Sequence, residues 1–563
     1  MESGGRIELM VIGVVFVTVL ASIGVVVGFG SADESSTLGQ DSVRFREVGR
    51  SCGLDYETSG ESYGSADGGV VVLDYDRNGW PDLLTVGGDR PALFANSNGS
   101  FDRSGALPDR SYPDLKSAIA FDSNGDGWRD LLLIPETGKP IFLRNTEGSF
   151  TRIDAGFDTE LQWGTGATVA DFDDDGDLDI YIIQNGDWRE GIPKREDDGE
   201  ATDGYPNLLY ENKGTAEDQR TAGTAGGDGG FARVESDIVE GSRWTLATTA
   251  VDLTSDGAPD IYVANDYGFD AVLINNGDMT FERRQVPNTN QHGMAAVERD
   301  INRDGRIDLF VTNIRFDNPE KVWEINSGLG VRNAGNSLLI NQGNGTFNNT
   351  AAAYGVNQGM WGWGGAVEDF DNDGTLDILH TTKYYLKVRG NSGRYIASKT
   401  RPMLWERRDP ATNSFEQRDS AAAGLNESNG RGLATFDFDR DGDRDVVIGD
   451  TSHRFKLYES TDTVGNWLEV RVRDDAGTAL GTRIEVTTDE GRTLTRVQTS
   501  RSNFFGQSTR MMHFGLGPES VKQLRIVRPD GTELVFDDIE TNQRLVVSED
   551  GTPKPLATKS AGC

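Results

Sequence analysis

The sequence predicts an all-β fold: a seven-bladed β-propeller followed by a small C-terminal β-sandwich-like domain, with an N-terminal transmembrane helix or signal peptide. Three observations carry this prediction. A nine-residue acidic phrase, D-x-[DNT]-x-[DN]-G-x-x-D, recurs seven times between residues 74 and 445. Each copy is flanked by short apolar runs rich in branched residues, too short for helices and suited to strands. Glycine supplies 70 of 563 residues, about twice its usual share of roughly 7%, as many tight turns between short strands require.

The chain begins with residues 9–29, LMVIGVVFVTVLASIGVVVGF, which carry no charge. A secretory apolar core usually runs about 7–15 residues, whereas about 20 span a bilayer. The length favours an uncleaved membrane anchor over a cleaved signal, although Gly30-Ser31-Ala32 offers a small-residue cleavage site. Arg6 is offset by Glu2 and Glu8, so flanking charge does not set the orientation. Residues 1–32 are assigned to this anchor or signal and 33–42 to a linker. The rest of the chain is expected on the extracellular face of the membrane, or secreted.

The seven phrases are DYDRNGWPD (74–82), DSNGDGWRD (122–130), DFDDDGDLD (171–179), DLTSDGAPD (252–260), DINRDGRID (300–308), DFDNDGTLD (369–377) and DFDRDGDRD (437–445). So many like charges in one loop repel one another unless a cation neutralises them. Calcium, a hard ion, takes six to eight oxygen ligands at about 2.3–2.6 Å. Side chains at positions 1, 3, 5 and 9, with a backbone carbonyl at position 7, supply them, and glycine at position 6 permits the sharp turn. Magnesium wants a tighter octahedron and sheds water reluctantly, so it suits the loop less well.

The expected metal ligands are thus Asp74, Asp76, Asn78 and Asp82 in loop one, and Asp122, Asn124, Asp126 and Asp130 in loop two. Loop three offers Asp171, Asp173, Asp175 and Asp179, and loop four offers Asp252, Thr254, Asp256 and Asp260. Loop five offers Asp300, Asn302, Asp304 and Asp308. Loop six has Asp369, Asp371, Asp373 and Asp377, and loop seven Asp437, Asp439, Asp441 and Asp445. Up to seven structural calcium ions follow. Loop four, with threonine at position 3, is expected to bind most weakly.

An apolar run precedes each loop (GVVVL, SAIAF, GATVA, TTAV, GMAAVE, GGAVE, GLATF) and another follows it (LLTV, LLLI, IYII, IYVA, LFVT, ILHT, VVIG). Each loop therefore joins two strands of a hairpin. A third strand comes next: LFANS, IFLRN, NLLYEN, VLINN, SLLINQ, MLWER and FKLYE. A fourth begins at Phe101, Phe150, Phe231, Phe281, Phe347 and Phe415, which leaves the last repeat one strand short. VRFREVGRSCGL (43–54) is similar to NSFEQRDSAAAGL (413–425). The N-terminal strand, with Phe45, is therefore expected to complete the last blade and close the ring.

These phrases resemble FG-GAP/VCBS repeats of the type found in integrin α-subunit propellers. The order D-x-D-x-D-G-x-x-D, then LL-x-N-x-G-x-G-x-F as in LLINQGNGTF (338–347), resembles the cartilage-acidic-protein-like family over about residues 43–460. Residues 461–550 change character: the acidic loops stop, and NWLEVRV, TRIEVTT, TLTRVQT, RMMHFGLG, KQLRIVRPDGTELVF and QRLVVSE alternate as half-buried strands. QSTRMMHFGLG (507–517) and RIVRPDGT resemble an ASPIC/UnbV module, with Arg528-Pro529 where that family usually has Trp-Pro. Residues 551–563 are read as a disordered tail.

The net charge of −36 repels nucleic acid, which is excluded as a partner. Strong acidity with arginine far in excess of lysine resembles halophilic proteins. Two cysteines, Cys52 and Cys563, make no disulfide framework, and they are left as a single bridge or as free thiols. His292, His380, His453 and His513 are scattered and read as structural. Four glycosylation sequons lie at Asn98, Asn344, Asn348 and Asn426.

Insertions 185–206, 313–335 and 383–400 all extend the face opposite the acidic loops. Tyr63, Trp163, Trp244, His292, Trp361 and Trp363 precede the first strands. They either ring an open channel mouth or pack between blades. Two functional readings follow. One is a calcium-stabilised surface scaffold that recognises a cell-envelope glycan or protein and is held to the membrane by the N-terminal helix. The other is an extracellular polysaccharide lyase or hydrolase on the same scaffold. No nucleophile elbow, zinc motif or phosphate loop occurs, so no catalytic residue is assigned and a non-enzyme is expected.

Overall fold

A computed structural model describes residues 42–563, apart from 58–67, 88–89, 188–192, 194–200, 215–229, 316–333, 388–394, 474–478 and several shorter stretches. The apolar run 9–29, Tyr63, His453 and most of the three insertions lie outside the described residues. Among the described residues, no helix is long and apolar enough to cross a membrane.

Seven four-stranded antiparallel units follow one another along the chain. Blade one is Gly69–Leu73, Asp82–Val86, Ala92–Ser97 and Ser100–Arg103. Blade two spans Leu115–Phe121 to Ser149–Ile153, blade three Gly164–Ala170 to Phe231–Val234, and blade four Thr245–Val251 to Phe281–Gln285. Blade five spans Ala296–Arg299 to Thr346–Asn349, and blade six Met360–Glu368 to Glu416–Gln417. Blade seven takes three strands, Gly430–Phe436, Asp445–Asp450 and Lys456–Thr461, from its own repeat. Its fourth is Arg44–Glu47, with Phe45 opposite Ser460, so the N-terminal strand closes the ring as expected.

The inner strand of each blade touches that of the next, and Gly430–Phe436 meets Gly69–Leu73 to complete the circle. Both faces of an inner strand therefore lie against a neighbouring blade. This is why the runs before the acidic loops are buried almost throughout instead of alternating. Seven separate cores fill the seven junctions. Phe121, Leu132 and Phe142 of blade two pack on Val169, Ile180 and Tyr210 of blade three, for example. Phe436 and Val447 of blade seven pack on Val70, Leu83 and Phe94 of blade one.

The C-terminal module is a two-sheet sandwich. One sheet orders Met512–Gly517, Asn466–Val472, Gln543–Val547 and Pro553–Leu556. The other orders Thr493–Val497, Arg483–Thr488, Val521–Val527 and Glu533–Asp537. Leu468, Val470, Ile484, Val486, Phe514, Leu524 and Ile526 form the core between them.

The expected disordered tail is corrected in part. Pro553–Leu556 pairs with Gln543–Val547, and Cys563 forms a disulfide with Cys52, their Cα atoms 5.2 Å apart. An edge of the sandwich is available to residues 553–556, and the bridge ties the end of the chain to the segment just after the closing strand.

The module also sends a segment into the ring. Between Val497 and Met512 the chain leaves the sandwich, forms the short strands Ser502–Asn503 and Gly506–Gln507, and pairs Gly506 and Gln507 in parallel with Val70 and Val71 of blade one. Asn503 donates to Gly365 O, Thr499 to Glu298, and Ser500 meets Thr168. One hairpin thus contacts the inner strands of blades one, three, five and six. Phe504 and Phe505 reach Leu246, Met294, Ala295, Ile314 and Trp363. The central channel is plugged.

Candidate metal centres

The seven acidic loops share one hydrogen-bonding scheme. The position-1 carboxylate accepts from the glycine N–H at position 6, as Asp122 does from Gly127 at 2.7 Å and Asp369 from Gly374 at 2.8 Å. The position-5 oxygen accepts from the N–H at position 7, as in Asp175 to Asp177 at 2.9 Å and Asn78 to Trp80 at 2.7 Å. Glycine at position 6 has positive φ in every copy, from 81° at Gly127 to 98° at Gly257. Position 4 is also left-handed throughout: Arg77, Gly125, Asp174, Ser255, Arg303, Asn372 and Arg440 all lie between 59° and 68°. These turns direct the side chains of the loop inward.

The position-9 aspartate is pinned on both oxygens. Asp82 accepts from Tyr75 N at 3.0 Å and from Asn96 N at 2.7 Å. Asp179 does the same with Phe172 and Asn212, and Asp445 with Phe438 and Ser460. It therefore fixes the start of the loop to the third strand as well as facing the loop interior.

In four loops the carboxylates at positions 1, 3 and 9 converge, with one oxygen from each within 4.8 Å of the others. These are Asp74, Asp76 and Asp82; Asp171, Asp173 and Asp179; Asp369, Asp371 and Asp377; and Asp437, Asp439 and Asp445. Loops two, four and five put Asn124, Thr254 and Asn302 at position 3, so only two of those three places hold carboxylates. The position-5 carboxylates of Asp175, Asp373 and Asp441 are not among these converging groups, and they, like Asn78 Oδ1, accept from the N–H at position 7.

The donors fit a hard cation. Asn124 Oδ1, Asp173 Oδ1 and Thr254 Oγ1, all at position 3, are buried and accept no hydrogen bond, and neither does Asp369 Oδ1 at position 1. Buried oxygens without partners are costly. Oxygen donors without thiolate or imidazole match calcium or magnesium chemistry and do not match zinc. Burial pushes Asp82 and Asp179 up to about 8 and Asp308 and Asp371 up to about 7, while Asp377 and Asp445 stand well above the usual range. Neighbouring carboxylates push in the same direction as burial. These loops are poor hosts for bare negative charge.

A repeated residue that the acidic phrase does not contain holds the loops together. At the end of the third strand, Asn145 donates to Arg129 O in its own loop and to Tyr75 O in the preceding one. Asn96 reaches Phe438 O, Asn212 reaches Ser123 O, Asn275 reaches Phe172 O, and Asn341 reaches Leu253 O. Blades six and seven use Arg407 to Ile301 O and Ser460 to Phe370 O. All seven contacts land on the position-2 carbonyl of the preceding loop. The recurring Asn of LFANS, IFLRN, NLLYEN, VLINN and SLLINQ is the sequence signal for it.

The C-terminal module sits on this same face. Gly517 N donates to Asn372 O at 2.9 Å, His513 Nε2 to Asn372 Oδ1 at 2.7 Å, and Arg492 Nη1 to Gly374 O at 2.7 Å. A Cβ on Gly515 would come within 1.9 Å of Asp369 Oδ2, so only glycine fits there. Between the ring and the module, Glu368 is enclosed by Arg299, Arg501, Arg444 and Arg496. Burial would raise its carboxyl, but the four guanidinium groups hold it well below the usual range.

The aromatic residues do not ring an open mouth. Trp163, Trp244, His292 and Trp363 are buried and Trp361 is half-buried. Trp363 stacks on Trp361 and meets Phe504 with centroids 5.1 Å apart, while the Arg431 guanidinium lies over the Trp363 ring, 3.4 Å from its centre. The plug supplies the packing surface that the isolated propeller lacks.

The FG-GAP-like repeat model matches residues 74–133, 122–182, 252–311 and 326–380, and the ASPIC and UnbV model matches 474–554. This chain is an FG-GAP-repeat protein with a C-terminal ASPIC and UnbV domain. The FG-GAP-repeat chain is similar to cartilage acidic protein 1 of Xenopus tropicalis, 25% identical over 50% of this chain and 41% of that protein. It is similarly related to the Homo sapiens protein, 25% identical over 50% and 40%. The Mus musculus protein is 22% identical over 82% of this chain and 70% of its own length. The chain thus spans about two fifths of the first two relatives. Among solved structures, an Agrocybe aegerita lectin specific for non-reducing terminal N-acetylglucosamine aligns with 15% identity, covering 70% of this chain and 93% of the lectin, at a TM-score of 0.40. The biofilm matrix protein Bap1 of V. cholerae aligns with 13% identity over 92% and 65%, at 0.31.

Proposed function

We propose that this FG-GAP-repeat protein is an extracellular, calcium-binding scaffold that recognises a glycan or protein partner of the cell envelope. The observation that carries the reading is the set of converging carboxylates with unpartnered buried oxygens beside them. Asp74, Asp76 and Asp82 and their counterparts in loops three, six and seven would hold the ion with three carboxylates each. A bound divalent cation would neutralise carboxylates that burial otherwise drives toward protonation, and so keep the loops folded. Extracellular modules commonly bind calcium at about 10⁻⁴–10⁻³ M.

The C-terminal module covers part of the acidic-loop face, and its hairpin fills the channel. Both leave the opposite face, from which insertions 185–206, 313–335 and 383–400 depart, as the surface for a partner. Long loops on a rigid scaffold commonly carry recognition. The Tyr384–Lys387 and Tyr395–Ser398 hairpin belongs to the last of these insertions.

The test is capture from a cell-envelope extract on immobilised residues 33–563 in calcium, followed by elution with chelator. Release of a defined glycan or protein by chelator supports the reading. If calcium does not bind at millimolar concentration, or if nothing is retained while calcium binds, the ion or the recognition role fails respectively.

A further inference from the structure

In four of the seven acidic loops the position-4 side chain reaches the next loop around the ring. Arg303 of loop five donates to Gly374 O of loop six at 2.8 Å. Asn372 of loop six donates to Gly442 O and to Asp443 Oδ1 of loop seven, at 3.2 and 3.1 Å. Arg440 of loop seven lies 3.7 Å from the ring centre of Trp80 in loop one. Arg77 of loop one donates to Asp126 O of loop two and lies over Trp128, 5.2 Å from its ring centre. Every contact falls on positions 5 to 7 of the receiving loop, the stretch whose position-7 carbonyl is the expected backbone ligand.

The links stop at loops two, three and four. Gly125 has no side chain, and Asp174 and Ser255 are short and make no side-chain hydrogen bond to a neighbouring loop among the described residues. The contacts made by the third-strand Asn, Arg407 and Ser460 are different in kind. They join all seven loops but land on position 2, away from the ligand carbonyl.

We propose that loops five, six, seven, one and two form a coupled arc in which ion binding at each loop raises the affinity of its neighbours, while loops three and four bind independently. The proposal rests on the calcium reading above. An ion that fixes one loop also fixes its left-handed position-4 residue. The side chain is then held in place over the next loop, whose position-6 to position-7 peptide has less freedom left to lose when its own ion binds. Coupling of this kind is reciprocal, so the downstream ion favours the upstream one by the same factor. At loop six the C-terminal module adds to the effect, because Arg492 donates to the same Gly374 carbonyl as Arg303.

The experiment is a calcium isotherm by titration calorimetry on residues 33–563 in three forms: unaltered, Arg440→Gly with Arg303→Gly, and Asp174→Gly. Glycine accepts the left-handed φ at each position, and Asp174→Gly repeats the backbone change where no link exists. The expected result is a steep phase with a Hill coefficient near 2 in the unaltered protein, flattened toward 1 with at least a threefold weaker midpoint when both arginines are lost. Asp174→Gly should leave the steep phase unchanged. Terbium luminescence sensitised by Trp80, Trp128 and Trp467 reports loops one, two and seven together, and its midpoint should move in the arginine variant. Superimposable isotherms, a non-cooperative parent, or an equal effect of Asp174→Gly would each overturn the coupling while leaving calcium binding intact. Absence of calcium binding in all three would overturn both.

Discussion

Gln507 holds both backbone groups of Ala120: Ala120 N donates to Oε1 at 2.8 Å and Nε2 donates to Ala120 O at 3.1 Å. A side chain of the C-terminal module thereby acts as a strand partner for the inner strand of blade two, in the middle of the channel. Nε2 donates also to Ser500 O at 2.9 Å, which fixes the hairpin itself. Gln507→Ala leaves the Ala120 N–H and the Ser500 carbonyl without this partner, while Ala120 O keeps only the longer contact from Arg510 Nη2 at 3.4 Å. The cost expected is about 1–3 kcal/mol for each group that water does not reach. Urea unfolding should show a lower midpoint, and the ring and the module should still unfold in one transition. An unchanged midpoint would mean that water replaces the amide and that the plug contributes little.

The Cys52–Cys563 bridge closes a loop of 511 residues. In the chain-entropy model such a closure restricts the unfolded state strongly, and loss of a native bridge typically costs about 2–5 kcal/mol. Reduction should therefore lower the thermal midpoint of the intact protein. The double variant Cys52→Ser with Cys563→Ser should start at the lower midpoint and ignore reductant. Equal midpoints for the oxidised protein and the double variant would show that the closing strand and blade cores suffice.

The propeller was legible because its determinants are local and repeated. Gly79 and its six counterparts, the flanking apolar runs and Phe45 all follow from short-range rules, and the closing strand follows from counting phenylalanines. The module's strands were legible from alternation. Its path was not: Phe504 and Phe505 sit in a polar stretch with no period of two, and only the ring supplies their apolar surroundings. The same holds for Trp363, whose burial depends on a segment 141 residues later. Pairing of Cys52 with Cys563 is a fact of where two distant ends meet, which spacing does not encode. The third-strand asparagines were visible as a repeat, but their role depends on a carbonyl in another blade.

Asn145 offers the cleanest view of that role, because its amide joins Arg129 O of its own loop to Tyr75 O of the previous one and its Oδ1 accepts from Gly148 N. Asn145→Ala removes all three contacts. The expected loss is about 2–4 kcal/mol, within the range for a buried polar group whose partners are left unsatisfied. Asn145→Asp keeps the acceptor to Gly148 but turns the donor into a second carboxylate oxygen facing two carbonyls, so it should be at least as damaging. Chemical unfolding in excess calcium measures both. If Asn145→Asp matched the parent, the two carbonyl contacts would carry no stabilisation.

His380 sets a pH limit that calcium does not share. It is fully buried between Phe310 and Trp405. Its Nε2 accepts from Asn336 Nδ2 at 3.2 Å and its Nδ1 donates to Thr381 O at 2.9 Å, an arrangement that suits the neutral ring. Burial lowers its pKa from the ordinary 6.5 to about 4. A depressed histidine costs nothing above pH 6.5, where both folded and unfolded chains are neutral. Below that, the unfolded chain takes up a proton that the folded chain refuses, and stability falls until the pH reaches about 4. A difference of this size corresponds to roughly 3 kcal/mol. Stability measured in saturating calcium at pH 7 and pH 4.5 should fall by less in His380→Gln than in the parent, because glutamine does not titrate. If the two proteins lose the same amount, the acid sensitivity of the ring belongs to its carboxylates and His380 has no part in it.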